Sequence, residues 1–115
     1  MDPLSPAVFH ILLALIGGEK HGYAIMQEVT AETNGSVKMG PGTLYGTLKR
    51  MLAASLVEEA GEREDPAILG ERRRYYRITP SGHHAAQAEA RRLEAAVKMS
   101  RKLSLLGPVA KEGPR

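Results

Sequence analysis

The run Val8-Phe9-His10-Ile11-Leu12-Leu13-Ala14-Leu15-Ile16 constrains this chain more than any other stretch. Ser5-Pro6 opens it as a helix, with a serine N-cap and a proline at the first helical position. Gly17-Gly18 closes it. Val8, Phe9, Ile11, Leu12, Leu13, Leu15 and Ile16 cover most of the helix circumference, and a helix that is apolar nearly all round must be buried on more than one side. The run is broken by His10 and falls far short of the ~20 residues of a membrane span. A chain of 115 residues holds one domain and few elements with which to cover such a helix. A second subunit is therefore a candidate for one of its sides. Met1-Asp2-Pro3 lacks the basic start of a signal peptide, and the expectation is a soluble, cytoplasmic protein with no membrane partner.

The spacing of the remaining apolar residues predicts three more helices and a hairpin. Tyr23, Ile25, Met26 and Val29 form a stripe on a helix from His21 to Glu32, which Asn34-Gly35-Ser36 breaks. Val37-Lys38-Met39 is an extended link. Gly40-Pro41-Gly42 starts a third helix, on which Leu44, Leu48, Met51 and Leu52 form the core face, and which ends near Ala54-Ser55. Leu56 to Glu59 reads as a short strand, Gly61 to Gly70 as a long loop, and Arg72 to Thr79 as an alternating strand with Tyr76 and Ile78 on one face. Thr79-Pro80-Ser81 then caps a last helix, from Ser81 to Leu105. Ala86, Ala90, Leu93 and Val97 line one stripe of it, and Ala96, Met99, Leu103 and Leu106 a neighbouring one. A helix of ~25 residues spans about 40 Å, longer than this core can cover, so part of it is expected to pack on another chain. The fold class is mainly α with a small β-hairpin: a winged helix-turn-helix over residues 1–79, a C-terminal dimerisation helix over 80–106, and a frayed Gly/Pro/charge-rich tail over 107–115.

Charge is unevenly distributed behind a formal net charge of +3. Residues 58 to 71 set Glu58, Glu59, Glu62, Glu64, Asp65 and Glu71 against Arg63 alone, whereas residues 72 to 115 are strongly basic. Such segregation fits a polyanion partner on one surface, or solvated element faces. The absence of cysteine excludes disulfides, Cys-ligated zinc, iron–sulfur clusters and a cysteine nucleophile. His83-His84 are adjacent, which points the rings apart and does not make the i, i+4 pair of a zinc site. The acidic stretch does not have the spacing of a calcium loop. Gly40-Pro41-Gly42-Thr43 lacks the phosphate-loop spacing. No serine has a nucleophile signature. We expect no catalytic residues, no metal site and no cofactor.

The third helix carries the most informative surface. Opposite Leu48 it presents Gly42, Thr43, Gly46, Lys49 and Arg50, with Tyr45 at the flank. Glycines let a helix approach closely, Thr43 and Tyr45 can bond phosphates or bases, and Lys49 and Arg50 bring positive charge. No acidic residue lies between Met39 and Val57. The reading is a helix for the DNA major groove; the bland reading is a solvated amphipathic helix.

In this order and spacing, His21-Gly22-Tyr23-Ala24-Ile25, Gly42-Thr43-Leu44-Tyr45-Gly46-Thr47-Leu48-Lys49-Arg50-Met51, Leu56-Val57-Glu58 and Arg73-Arg74-Tyr75-Tyr76-Arg77-Ile78-Thr79-Pro80-Ser81-Gly82 resemble the PadR family of bacterial transcriptional regulators, over about residues 5 to 105. The length resembles the family's short branch. The resemblance implies a homodimer joined through the last helix and assisted by the first, with the third helix in the major groove of operator DNA and a wing beside it. It also implies repression relieved by a small-molecule effector. Carried over by residue, DNA contacts fall on Thr43, Tyr45, Gly46 and Lys49, with support from Lys38 and from His21 to Tyr23, and the Arg72 to Arg74 run serves the wing. Together with Arg50, the candidate DNA-binding set is Lys38, Thr43, Tyr45, Gly46, Lys49, Arg50, Arg72 and Arg73. Leu93, Val97 and Leu103 are the candidate dimerisation residues.

Two features depart from the family pattern. The wing tip carries Glu62, Glu64 and Asp65, which phosphates repel. Either contacts come from Arg72 and Arg73 near the wing base, or the tip folds back and its acids pair with those arginines. The chain also lacks tryptophan, so it has no tryptophans to sandwich a flat drug as in some short members, and Phe9 and Met99 are the candidate effector-lining residues. The rival expectation is a winged-helix dimer that binds a ligand or protein without sequence-specific DNA binding.

Overall fold

The computed structural model describes residues 2–107. The elements run α1 (Pro6–Ile16), β1 (Lys20–His21), α2 (Gly22–Glu32), α3 (Pro41–Ala53), β2 (Val57–Glu64), β3 (Arg72–Ile78) and α4 (Pro80–Lys102). Side chains at three helix N-termini take up orphan amides. Ser5 Oγ accepts from the Val8 N–H at 3.2 Å, His21 Nδ1 from Ala24 at 3.2 Å, and Thr79 Oγ1 from Gly82 at 2.9 Å. Between α2 and α3 the chain turns through Asn34 and Gly35, both at positive φ. Thr33 Oγ1 donates to the Val29 carbonyl and accepts from the Val37 N–H, which fixes the exit from that turn.

Ile11, Leu12, Ile25, Leu44, Leu48, Met51 and Val57 are fully buried and form one core with Leu15, Val29 and Tyr76. Each such side chain contributes about 1.5–3 kcal/mol on leaving water. The helical periodicities of α1, α2 and α3 thus point at a common centre, as expected, except that Tyr23, expected in the apolar stripe of α2, is exposed. Leu13 and Ile16, on the outer side of α1, stay exposed. They are the sides of that helix that this chain does not cover.

The structure differs from the sequence expectation at three places. First, the sheet has three antiparallel strands in the order β1-β3-β2, because Lys20 and His21 pair with Tyr76 and Tyr75. Second, β2 continues through Gly61 to Glu64, which shortens the expected Gly61–Gly70 loop to the segment after Glu64. Gly61, at φ +89°, sits where the register shifts between Glu59 and Glu62, so it forms a bulge and does not end the strand. Third, α4 stops at Lys102 with Leu103 as its C-cap, short of Leu105. Of the expected tail, all but Gly107 lies outside the described residues.

The first turns of α4 belong to the same core as the winged unit. A Cβ at Gly82 would stand 2.0 Å from the Leu56 carbonyl oxygen, so only glycine lets α4 cross the end of β2 this closely. Ala85 and Ala86 are buried beyond it. Glu89, only 5% exposed, accepts from the Leu4 N–H at 3.1 Å and from the Arg92 guanidinium, clasping the chain start to α4. From Ala90 onward the helix is exposed, apart from a half-buried Ser100; Ala90, expected in an apolar stripe, is among the exposed residues.

Candidate nucleic-acid interface

The outer face of α3 is built by what lies beneath it. Leu44, Thr47, Leu48 and Met51 are buried. That orientation leaves Gly42, Thr43, Tyr45, Lys49 and Arg50 exposed and Gly46 half-buried. Proline at the first position and Gly40 as N-cap leave the α3 N-terminus without a side-chain cap. Exposed Lys38 lies two residues before that end. A bare helix N-terminus beside a lysine is suited to an anion such as phosphate.

The three glycines at this face have different neighbours. Gly22 makes room for a neighbour: a Cβ there would stand 2.5 Å from the Tyr45 hydroxyl and within 3 Å of two ring carbons, so the exposed Tyr45 ring would have to move. The Tyr45 ring thus lies on the start of α2, which explains why Gly22 follows the His21 cap. Gly42 and Gly46 have no such neighbour. A Cβ at 42 meets nothing within 4 Å, and one at 46 meets only the tip of Arg50 at 3.8 Å. A glycine in a helix interior, as at 46, costs about 1 kcal/mol relative to alanine, and no close contact calls for glycine at either position.

Arg50 is partly tied to its own helix. Its Nη2 donates to Thr47 Oγ1 at 3.2 Å, and Thr47 in turn donates to the Thr43 carbonyl. Lys49 has no ion-pair partner among the described residues.

The wing is a hairpin of β2 and β3 whose arginines, Arg72 apart, pair with carboxylates of the hairpin or with Glu19, just before β1. Arg63 reaches Glu19 at 2.7 Å, Arg77 reaches Glu58 at 3.0 Å and Glu19 at 3.4 Å, and Arg74 lies 3.1 Å from Glu59. The Arg63 guanidinium also lies over the Tyr75 ring. Arg63 and Arg77 hold the Glu19 carboxyl below its ordinary range. Arg72 has no carboxylate partner among the described residues; its Nη2 donates to the Glu62 carbonyl. Of the tip acids, Asp65 alone folds back onto one of the two expected arginines, Arg73; Glu62 lies 3.7 Å from Arg74, and Glu64 accepts from the Gly70 N–H. Asp65 is buried, with Oδ2 3.4 Å from Arg73 Nε and 3.5 Å from His21 Nε2. Arg73, counted from the sequence as a candidate DNA contact, therefore faces inward, with its side chain 26% exposed and its guanidinium 5.7 Å from the Tyr23 ring.

The remaining expected residues are dispersed. Phe9 is half-buried in α1 and Met99 is exposed on α4. Neither lines the cleft of about 360 Å³ between α1 and α2, which is walled by His10, Leu13, Ala14, Glu28, Val29 and Glu32. Leu93, Val97 and Leu103 lie exposed along the free part of α4. Among the described residues no three His, Asp or Glu side chains are grouped to hold a metal ion. No helix there is long and apolar enough to cross a membrane. Sequence reasoning missed the clasp at Glu89 and the burial of His21 with Asp65.

A half-exposed helix with open glycines, flanked by a paired hairpin, is the geometry of a winged helix-turn-helix. The sequence profile of the transcriptional regulator PadR-like family matches residues 11–88. The chain belongs to the PadR-like family of transcriptional regulators. It is 36% identical over 85 residues to the transcriptional regulator Rv3488 of Mycobacterium tuberculosis, across 74% of this chain and 73% of that protein. A transcriptional regulator from Clostridium thermocellum superposes with a TM-score of 0.68 at 27% identity, covering 84% of this chain and 87% of that one. A PadR family transcription regulator from hypervirulent Clostridium difficile shares the fold at a TM-score of 0.71 and 21% identity, over 86% and 98% of the two chains. For this PadR-like regulator, the match takes in α2, α3, the hairpin and the packed start of α4, the elements that assemble the face just described.

Proposed function

We propose that this PadR-like regulator is a cytoplasmic homodimer that binds operator DNA through α3 and represses transcription until a small molecule releases it. It acts by binding and not by catalysis. The observation that carries the reading is the pair of open glycines, Gly42 and Gly46, on a face that also holds Thr43, Tyr45, Lys49 and Arg50. Such a face favours close approach by an outside surface, and its charge favours phosphate. Lys38, Lys49, Arg50 and Arg72 supply phosphate contacts, while Thr43, Tyr45 and Gly46 set the helix against base edges. The exposed apolar side chains Leu93, Val97 and Leu103 support association through α4, and Leu13 and Ile16 extend the surface available to a partner. Phe9 and Met99 remain the proposed effector-lining residues across that association.

The test is fluorescence anisotropy with duplex from upstream of the protein's own gene, and with duplexes selected by the protein from a random pool, at ~150 mM salt with excess unrelated DNA. Binding that survives competitor is expected. Lys49→Ala is expected to weaken all duplexes alike and to lower the salt slope by about one per half-site. Failure to prefer any selected duplex would sink the reading and favour a winged-helix module for a ligand or protein, for which the self-paired wing speaks.

A further inference from the structure

Asp65 is the one carboxylate of the wing that is out of solvent. It is 5% exposed, while Glu58, Glu59, Glu62, Glu64 and Glu71 are all exposed. Burying a carboxylate is costly unless it is paired, and here each oxygen has a neighbour. Oδ1 accepts from the Ala67 N–H at 2.9 Å and shapes the tip turn. Oδ2 faces Arg73 Nε and His21 Nε2. His21 Nδ1 already accepts from the Ala24 N–H, which leaves Nε2 as the ring nitrogen that faces Asp65, at 3.5 Å. The next residue, Gly22, carries the Tyr45 ring of α3. One carboxylate thus links the wing tip to the start of α2, and through Gly22 to the reading helix.

The same carboxylate divides the wing's arginines into two kinds. Arg63, Arg74 and Arg77 are about half exposed and pair with carboxylates that are themselves exposed. Such pairs are cheap to break, so these arginines can exchange a carboxylate for a phosphate. Arg73 is different: its Nε is buried and makes no hydrogen bond, lying 3.4 Å from the Asp65 carboxylate as an ion pair, and parting them leaves a buried charge unpaired. We propose that Asp65 is a specificity-determining positioning residue of the DNA interface, which aims the wing at the α2–α3 frame while withholding Arg73 from phosphates. It lowers affinity for DNA in general and raises preference for the correct site. This rests on the DNA-binding reading above.

The experiment compares the intact protein with Asp65→Asn on a selected duplex and on a scrambled one, across a salt series, with a thermal melt of each protein. Asparagine keeps the oxygen that accepts from Ala67 and removes the charge. Asp65→Asn is expected to bind scrambled duplex more tightly, with a salt slope steeper by about one per subunit as Arg73 gains a phosphate. Its preference for the selected duplex is expected to fall by about tenfold. Adding Arg73→Gln to that variant should return the scrambled-duplex slope to the parent value. A merely structural role would weaken both duplexes together, in step with melting temperature, and would overturn the proposal. Arg73→Gln alone asks the same question without touching Asp65: its slope should equal the parent's, and a slope shallower by about one per subunit would show Arg73 already on the phosphates and overturn the proposal. If the parent itself prefers no duplex, the DNA-binding reading fails, and this inference with it.

Discussion

Gly22 and Gly46 are both glycines at the same face, yet they have opposite reasons to be there. Adding a methyl group at Gly22 forces the Tyr45 ring off the start of α2. Gly22→Ala should cost about 1–3 kcal/mol, the usual range for overpacking, and Tyr45→Ala in the same chain should return most of it in a denaturant double-mutant cycle. Gly46→Ala should do the reverse. With open space above it, alanine should raise stability by up to about 1 kcal/mol and still weaken DNA binding by lifting the helix from the groove. A stabilised variant that binds its selected duplex unchanged would show that Gly46 serves no close approach. Both glycines lie in motifs visible in the sequence, but which of them has a close neighbour depends on the position of one tyrosine ring.

At the scale of elements, the helices were readable because their signals are local. Ser5-Pro6, Gly40-Pro41 and Thr79-Pro80 mark three starts, and the apolar spacing of Leu44, Leu48 and Met51 marks a buried face. The strands were less readable because their limits are set by partners. Lys20 and His21 have no alternation and become a strand only beside Tyr75 and Tyr76. Gly61 reads as a breaker by type and acts as a bulge because β3 holds both sides of it. The contact of Asp65 with His21 and that of Glu89 with the Leu4 amide were invisible because those partners lie far away in sequence, whereas the pairing of Asp65 with Arg73 was one of the two expectations for the wing tip. Arg92 first, and the Leu4 amide after it, hold the Glu89 carboxyl below its ordinary 4.5 against the opposing effect of burial. A depressed carboxylate stabilises the fold above the unfolded value and ceases to do so as pH falls through the folded one. Melting temperature should therefore fall as pH drops below 4.5, and the fall should be shallower in Glu89→Gln. Parallel pH profiles for the two proteins would mean that the clasp adds nothing.

The described residues measure 52 × 38 × 22 Å, an elongated shape for about a hundred residues. Beyond Glu89, α4 lies almost wholly open to solvent, with Leu93, Val97, Met99 and Leu103 uncovered. Burial of these residues in a second copy predicts that Leu93→Glu with Val97→Glu shifts the mass in light scattering from two chains to one, and a mass unchanged from the parent would move the interface elsewhere. The free half of α4 also turns association into something visible amide by amide. A helical stretch of that length is marginal in water by itself, so its hydrogen exchange should be fast in dilute solution and slow in concentrated solution. The amides of α3, held by Leu44, Leu48 and Met51, should keep one rate throughout. The dilution at which the two sets of rates separate would then report, without any DNA present, the concentration below which this regulator loses half of its last helix.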